Sequence, residues 1–225
     1  MPLSRSELER LAARLASGEL SVPEFLDAAA PPETAPLADV TVDLDRRRRC
    51  GFPEVVWGEG KSAETIERIF AAQQAAGDPC LATRVSAEVA SHLHLAYPQG
   101  VYNPLAKTFR LGAPPEAPPE HVPPAHVAVV SAGTTDLPVA EEARETLLWM
   151  GVTVASIVDV GVAGPQRLLP HIPILRKQDA IVVAAGLEAA LPSVVGGHVD
   201  CPVVAVPTSV GYGASFRGVT ALLGM

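Results

Sequence analysis

From residue 126 onward the chain alternates nearly continuous apolar stretches with helical ones: HVAVVS, LPVAEEARETLLWM, VTVASIVDV, DAIVVAAG, LEAALPSVV and CPVVAVPT. A strand with one wet face alternates apolar and polar residues; these strands have almost no polar positions and need cover on both faces. Helices between them supply both the cover and the crossover that parallel strands require. The pattern restricts residues 126–225 to an α/β domain with a doubly wound parallel sheet in three layers, flavodoxin- or Rossmann-like. Ligands of such sheets sit at the carboxyl ends of the strands.

Four of those strand ends are rich in Gly, Ser and Thr: SAGTTD (131–136), DVGVAG (159–164), AAGLEAALP (185–192) and PTSVGYGAS (207–215). One such corner is an ordinary turn. Four on one sheet edge describe a pocket for an anionic small molecule: glycine lets backbone approach closely, helix N-termini attract anions, and hydroxyls add donors. Asp136 and Glu188 are the acids at these corners. Each also has a plain structural reading, Asp136 as a helix N-cap and Glu188 as a first-turn acid favoured by the helix dipole.

Upstream, GAPPEAPPEHVPPA (112–125) is too rich in proline for helix or strand and reads as a stiff linker. Residues 1–111 form a smaller unit. Ser4–Glu7 and Ser21–Glu24 are capping boxes that start two short helices, and APPETAP then breaks helix into a connector. LADVTVDL, PEVVWG, CLATRV and AKTFRL read as strands, SAETIERIFAAQQAAG and SAEVASHL as helices. The expected organisation is a small α/β domain over 1–111, a linker over 112–125 and the parallel-sheet domain over 126–225.

Composition narrows the functional classes. A net charge of −8 disfavours a phosphate-backbone binder, and 4% aromatic content leaves few stacking platforms for single strands. Nucleic acid is therefore not an expected partner. Cys50, Cys80 and Cys201 lack any paired spacing and read as reduced, buried small hydrophobes of a cytoplasmic protein. MPLSRSELERLAARL is an amphipathic helix without a signal-peptide core, and no apolar run approaches the ~20 residues that span a bilayer. Several catalytic signatures fail. Gly60-Lys61-Ser62 lacks the earlier P-loop glycine, Gly211-Tyr212-Gly213 lacks the third glycine of a dinucleotide fingerprint, and there is no GxSxG elbow. The six histidines show no metal-ligand spacing.

One further cluster stands in VDLDRRRRCGFPEVVWGEGKSAE. The arginine run reads plainly as a solvated turn. Yet Asp43, Arg46 and Arg49 recur every three residues, and arginines so placed suit phosphate.

Taken together, the four corners, VDCP at 199–202, TRV at 83–85 and the pattern DxxRxxRxGxPEVVxGxGK from Asp43 to Lys61 closely resemble the LarB family of nickel-pincer cofactor biosynthesis. That family's second domain is similar to the PurE-type AIR carboxylases. The resemblance implies an enzyme, pyridinium-3,5-biscarboxylic acid mononucleotide synthase. Such an enzyme carboxylates nicotinic acid adenine dinucleotide at pyridinium C5 and hydrolyses the phosphoanhydride, with CO2 or bicarbonate as co-substrate and AMP as second product. Ser131, Gly133, Thr134, Thr135 and Asp136 match the first corner and by resemblance hold the mononucleotide half. Gly161, Gly164 and Arg167 belong to the second, and Gly186, Leu187 and Glu188 to the third, with Glu188 the preferred proton-handling residue. Thr208, Ser209, Gly211, Tyr212 and Gly213 match the fourth. Asp43, Arg46, Arg49 and Lys61 would position the anhydride or adenylate end.

The sequence departs from the family in two places. Gln166 stands where the family has a histidine, and the family's nucleophilic cysteine lies in a Ser-Cys-Ala segment that would follow Met225. A thiol is chemically needed: pyridinium C5 is electron-poor, whereas a thiolate adduct is an enamine that attacks CO2. No tightly bound cofactor is expected. A magnesium requirement is left open, since no carboxylate cluster marks a cage. A homo-oligomer is expected, with an octamer among the forms the PurE resemblance allows. Rival readings are a PurE-like carboxylase or mutase of aminoimidazole ribonucleotide and a nucleotide-binding protein without chemistry. Asp136→Ala is expected to cripple turnover and leave the fold largely intact.

Overall fold

His126–Ser131 forms the strand on which the C-terminal sheet is centred, and its two faces show why the sequence is apolar throughout. Ala128 and Val130 pack with Ile157, Ile181, Val183 and Leu191 on one side, while Val129 packs with Ala140 and Ala184 on the other. The computed structural model describes residues 4–29, 34–37, 40–112 and 125–225. Residues 113–124 of the expected 112–125 linker and residues 38–39, the second and third of LADVTVDL, lie outside them.

The chain divides into two compact units, Met1–Glu54 and Val55–Met225. In the first, α1 (Arg5–Ala16) and α2 (Val22–Ala29) precede a two-stranded antiparallel hairpin, β1 (Thr34–Leu37) and β2 (Val40–Asp43), and a short helix α3 (Arg46–Cys50). Both capping boxes form. Ser4 accepts from the Glu7 N–H while Glu7 accepts from the Ser4 N–H at 2.8 Å, and the Ser21 N–H donates to Glu24 at 2.7 Å. The Ser4 hydroxyl, at 2.6 Å, and then its N–H hold the Glu7 carboxyl below the ordinary carboxylate value, and the Ser21 N–H and then its hydroxyl do the same for Glu24. Two local expectations are corrected. Part of APPETAP is strand β1, with Pro36 tolerated because a two-stranded ribbon has only edge strands. The arginine run is helical, stopped by Gly51 in the left-handed conformation, with its N–H on the Arg47 carbonyl at 2.9 Å.

The second unit holds two sheets. β3 (Val56–Trp57), β4 (Cys80–Thr83), β5 (Val101–Asn103) and β6 (Thr108–Leu111) form one in the order β3-β4-β6-β5, with α4 (Ala63–Ala75) and α5 (Ala87–Ala96). Only β3 and β4 are parallel. β5 was not expected from the sequence; three residues, VYN, give too short a periodic signal to stand out. Helix α4 ends as its sequence requires, with Gly77 at φ +79°.

The other sheet follows the anticipated pattern. β7 (His126–Ser131), β8 (Thr153–Ile157), β9 (Ala180–Ala185) and β10 (Val203–Pro207) run parallel in the order β10-β9-β7-β8. Helices α6 (Leu137–Trp149), α7 (Ile172–Leu175), α8 (Leu191–Gly196) and α9 (Val219–Gly224) flank them. Between β8 and α7 the chain makes two 3-10 turns, Pro165–Arg167 and Leu169–His171, where the strand–helix alternation alone would suggest a helix. Pro170 and Pro173 lack the N–H groups that would join these turns and α7 into one helix. The outer strands β8 and β10 are only partly buried.

Helix α6 also faces the smaller sheet of this unit. Glu142 pairs with Arg84 at 3.2 Å, Glu145 with Arg110 at 3.3 Å, and the Glu141 carboxylate accepts from the Asn103 amide at 2.9 Å.

Candidate active site

The four Gly/Ser/Thr corners are tied to one another at the carboxyl edge of the β7–β10 sheet. After β7 the chain makes a 3-10 turn, Thr134–Asp136, that leads directly into α6. Asp136 is 3% exposed. Its carboxylate accepts from the Gly133 N–H at 2.9 Å and from the Thr208 hydroxyl at 2.6 Å. It occupies the N-cap position of α6 but makes no capping bond to that helix. Its role in the backbone is to close the 3-10 turn, and its other oxygen reaches a residue 72 positions away.

That reach needs a glycine. β9 lies between β7 and β10, so the Asp136–Thr208 bond passes the end of β9, where Gly186 sits. A Cβ on Gly186 would come within 2.8 Å of the Thr208 hydroxyl oxygen and overlap the Val210 carbonyl oxygen. With no side chain there, Thr208 N–H donates to the Ala185 carbonyl at 3.0 Å and Leu187 N–H to the Val210 carbonyl at 2.9 Å. Gly161 does the same for the second corner: its N–H donates to the Ala132 carbonyl at 2.8 Å, and a Cβ would stand 2.7 Å from that oxygen. Ser131, fully buried, accepts from the Asp159 N–H at 3.4 Å.

These ties enclose a cavity of about 250 Å³. Gly133, Thr135 and Asp136 line it from the first corner, Gly161 and Arg167 from the second, Gly186, Leu187 and Glu188 from the third. The fourth corner contributes Val210 rather than the residues singled out from sequence. Thr208 and Ser131 support the lining from behind. Thr134, Gly164, Ser209, Gly211, Tyr212 and Gly213 are not part of it, and Tyr212 is 83% exposed.

Glu188 differs from its plain sequence reading. It is exposed and precedes α8, which begins at Leu191, so it belongs to no helical first turn. Its neighbours Leu187 and Ala189 have φ +54° and +53°, a conformation uncommon outside glycine. Among the described residues its carboxylate has no hydrogen-bond partner. The last helix, α9, reaches this corner: a Cβ on Gly224 would overlap the Glu188 carbonyl oxygen.

Sequence reasoning missed Asp159. It lines the cavity at φ +58° and pairs with Arg167 at 2.8 Å. The available signal was an acid opening the second Gly-containing corner at a strand end. Asp159 also changes the electrostatics expected of the pocket. Its ionisable lining is Asp136, Asp159 and Glu188 against Arg167, so the side chains favour a cation, and an anionic group depends on Arg167 and backbone N–H groups. Among the described residues no three His, Cys, Asp or Glu side chains converge to hold a metal ion.

The remaining expected residues lie elsewhere. In the first unit, Arg49 pairs with Asp43 and with Asp45, the latter at 3.0 Å, and Arg48 pairs with Asp45 at 2.7 Å. The Arg48 hydrogen bond is the main reason the Asp45 carboxyl sits below its ordinary value. Arg46 is exposed on the same short helix. Lys61, in the second unit, sits in the turn between β3 and α4, with its N–H on the Gly58 carbonyl at 3.0 Å. The three cysteines differ from one another. Cys80 is buried, and desolvation pushes its thiol up to about 12. Cys201 is half-buried, and Cys50 is exposed, because α3 buries no side chain. None of them lines the cavity.

No helix among the described residues is long and apolar enough to cross a membrane. Residues 35–113 match the family model for the LarB/PurE-like N-terminal domain, and residues 126–225 match that for AIR carboxylase. The chain is also 38% identical over 200 residues to an uncharacterised protein of Methanocaldococcus jannaschii, MJ0165, covering 81% of this chain and 73% of that one. These families point to a carboxylase-type enzyme. With both domain matches in tandem and a relative aligned across most of its length, the chain belongs to the LarB family, carrying an AIR-carboxylase-like domain at its carboxyl end.

Proposed function

We propose that this protein carboxylates nicotinic acid adenine dinucleotide at pyridinium C5 and hydrolyses its phosphoanhydride, giving pyridinium-3,5-biscarboxylic acid mononucleotide and AMP. The observation that carries this reading is the acidic lining of the strand-end cavity. A pyridinium ring is a cation, and three carboxylates around one guanidinium suit a cation with an anionic substituent better than a simple phosphate ester.

The two acids named from sequence take different parts. Both oxygens of Asp136 are engaged, so it is a fixed negative charge beside the ring and costs no reorganisation during the reaction. Glu188 is unencumbered and suited to accept the C5 proton. Thiolate addition to the ring makes C5 nucleophilic, C5 forms a bond to CO2, Glu188 takes the C5 proton, and expulsion of the thiolate restores the aromatic ring. Water attacking the phosphoanhydride releases AMP. The carboxyl end of α9 packs against the Glu188 corner, so a thiol brought there would stand at the rim where this chemistry needs it. Arg167, Gly133 and Thr135 are proposed to hold the mononucleotide phosphate and ring carboxylate.

Protein expressed from the gene read through to its stop codon, incubated with the dinucleotide and ¹³C-bicarbonate, should yield AMP and a ¹³C-labelled biscarboxylate mononucleotide by mass spectrometry. Unchanged dinucleotide in a sample that binds it would reject the reading. One observation favours a second reading: no cysteine of this chain lines the cavity. Aminoimidazole ribonucleotide is already an enamine and needs no thiol, so ¹³C incorporation into that substrate, and not into the dinucleotide, would establish an AIR-carboxylase activity instead.

A further inference from the structure

A second hollow, of about 210 Å³, lies on the flank of α6 that faces the smaller sheet. Its walls are Pro138 and Val139 from the first turn of α6, Leu105 and Ala106 from the β5–β6 turn, and four charged side chains: Glu59, Arg84, Lys107 and Glu142. Arg84 is held in place. Its guanidinium lies 5.0 Å from the centre of the Trp57 ring and pairs with Glu142 at 3.2 Å. Lys107 and Glu59 are not so committed: among the described residues neither side chain has a hydrogen bond or ion pair. An ammonium and a carboxylate thus share one hollow and leave each other unpaired.

The backbone there is unusual at the same two bases. Arg84 and Lys107 have φ +57° and +53°, and the two turns are joined by the Val85 N–H on the Lys107 carbonyl at 2.8 Å. Long side chains seldom adopt this conformation, and its cost persists only where surrounding structure enforces it, often beside ligands. Trp57, although 52% exposed, supports this arrangement by stacking on Arg84.

We propose that this hollow binds a nucleoside monophosphate. Lys107 contacts the phosphate, with the N-terminal end of α6 adding its favourable dipole. Glu59 accepts from the ribose hydroxyls, the role a carboxylate plays toward vicinal hydroxyls in nucleotide sites. Leu105, Pro138 and Val139 cover the base. A simple anion would gain nothing from Glu59, and a purely apolar ligand nothing from Lys107; a phosphorylated nucleoside uses both. The position of the hollow adds a consequence that rests on the reading under Proposed function. Asp136 lines the strand-end cavity and Pro138 lines this hollow, so the first turn of α6 separates them by two residues. A dinucleotide with its pyridinium in the cavity would lay its anhydride over that turn and its second nucleotide here.

The test is isothermal titration calorimetry of the full chain with AMP, nicotinic acid mononucleotide and inorganic phosphate, on the wild type, Lys107→Asn and Glu59→Gln. Asn tolerates the left-handed backbone, so Lys107→Asn removes the charge without adding strain. Expected are AMP binding to the wild type and a loss of at least about tenfold in Lys107→Asn. Glu59→Gln should weaken AMP binding without weakening that of phosphate. Nicotinic acid mononucleotide should bind both variants as it binds the wild type, and should not compete with AMP. Absence of AMP binding at millimolar concentration, wild-type AMP affinity in both variants, or mutual competition between the two mononucleotides would overturn the proposal. Lys107-dependent AMP binding in a protein that leaves the dinucleotide uncarboxylated would reject the synthase reading and keep this site. Carboxylation with Lys107-independent AMP binding would do the reverse.

Discussion

Replacing Asp136 separates its part in the scaffold from its part in the chemistry. Asp136→Ala removes two charge-assisted hydrogen bonds and leaves the Thr208 hydroxyl, 3% exposed, without its acceptor. The Gly133 N–H is only half-buried and can turn to water. One buried unsatisfied group plus the space vacated costs about 2–4 kcal/mol. For a chain of this size that lowers Tm by roughly 5–15 °C. Asp136→Ala is thus expected to leave the fold largely intact but at a measurable cost in stability. Asp136→Asn is different. With its oxygen on the Gly133 N–H and its amide donating to the Thr208 hydroxyl, which can also accept, both bonds survive as neutral ones. About 1–2 kcal/mol is lost, while the fixed negative charge disappears. Turnover of the dinucleotide should then fall by about 10²-fold or more, as when a preorganised electrostatic group is deleted. Urea denaturation of wild type and both variants, alongside the ¹³C assay, measures the two effects separately. The reasoning fails if Asp136→Ala is within about 0.5 kcal/mol of wild type, the usual range of surface changes, or if Asp136→Asn turns over normally.

Other perturbations follow from single contacts. Gly186→Ala should destabilise by roughly 1–3 kcal/mol and weaken mononucleotide binding, since its Cβ meets backbone at Val210 that cannot swing aside; unchanged melting would show that β9 and β10 can separate. Arg167→Ala should raise KM for the dinucleotide by about tenfold or more while leaving the melting curve near wild type, because its pairing with Asp159 is half-exposed. The Cys80 thiol is raised in the folded state to about 12 by burial, so its protonated form favours folding. That contribution is intact below the unfolded thiol value and declines as pH rises from about 9 through about 12, by up to ~1.4 kcal/mol per pH unit. Cys80→Ala should flatten that slope in denaturation curves taken across this range. At pH 8, exposed Cys50 should be alkylated by iodoacetamide in the native protein and Cys80 should not; equal labelling would refute the burial argument.

The parallel sheet was legible because its signal is local and repeated. Each buried strand must be apolar on both faces, and each corner must carry residues that turn the chain, so β7 through β10 and their four corners can be read without knowing what packs on them. Gly77 and the two capping boxes are legible for the same reason: their partners lie within one helical turn. The resemblance of the corners and of the Asp43–Lys61 pattern carried the family, which the domain matches then established.

Strand order was not local, and with it went much of the site. That β9 lies between β7 and β10 is what makes Asp136 reach over Gly186 to Thr208, a pairing across 72 residues that no spacing rule encodes. The same order lets Val210 line the cavity and leaves Tyr212 in solvent. Asp159 and Arg167 pair within a single corner, but only the fold brings that corner against Asp136 and Glu188, turning a pocket read as anion-binding into one with an excess of carboxylates. The hollow at Lys107 and Glu59 lies further still from the sequence signal, since its walls come from four separate stretches of chain. The sequence by itself determined which segments are strands and where the chain must turn, because backbone hydrogen bonding and burial act on neighbours. Only the tertiary structure decided which side chains meet, because that depends on the sheet order and on where glycine allows two corners to touch.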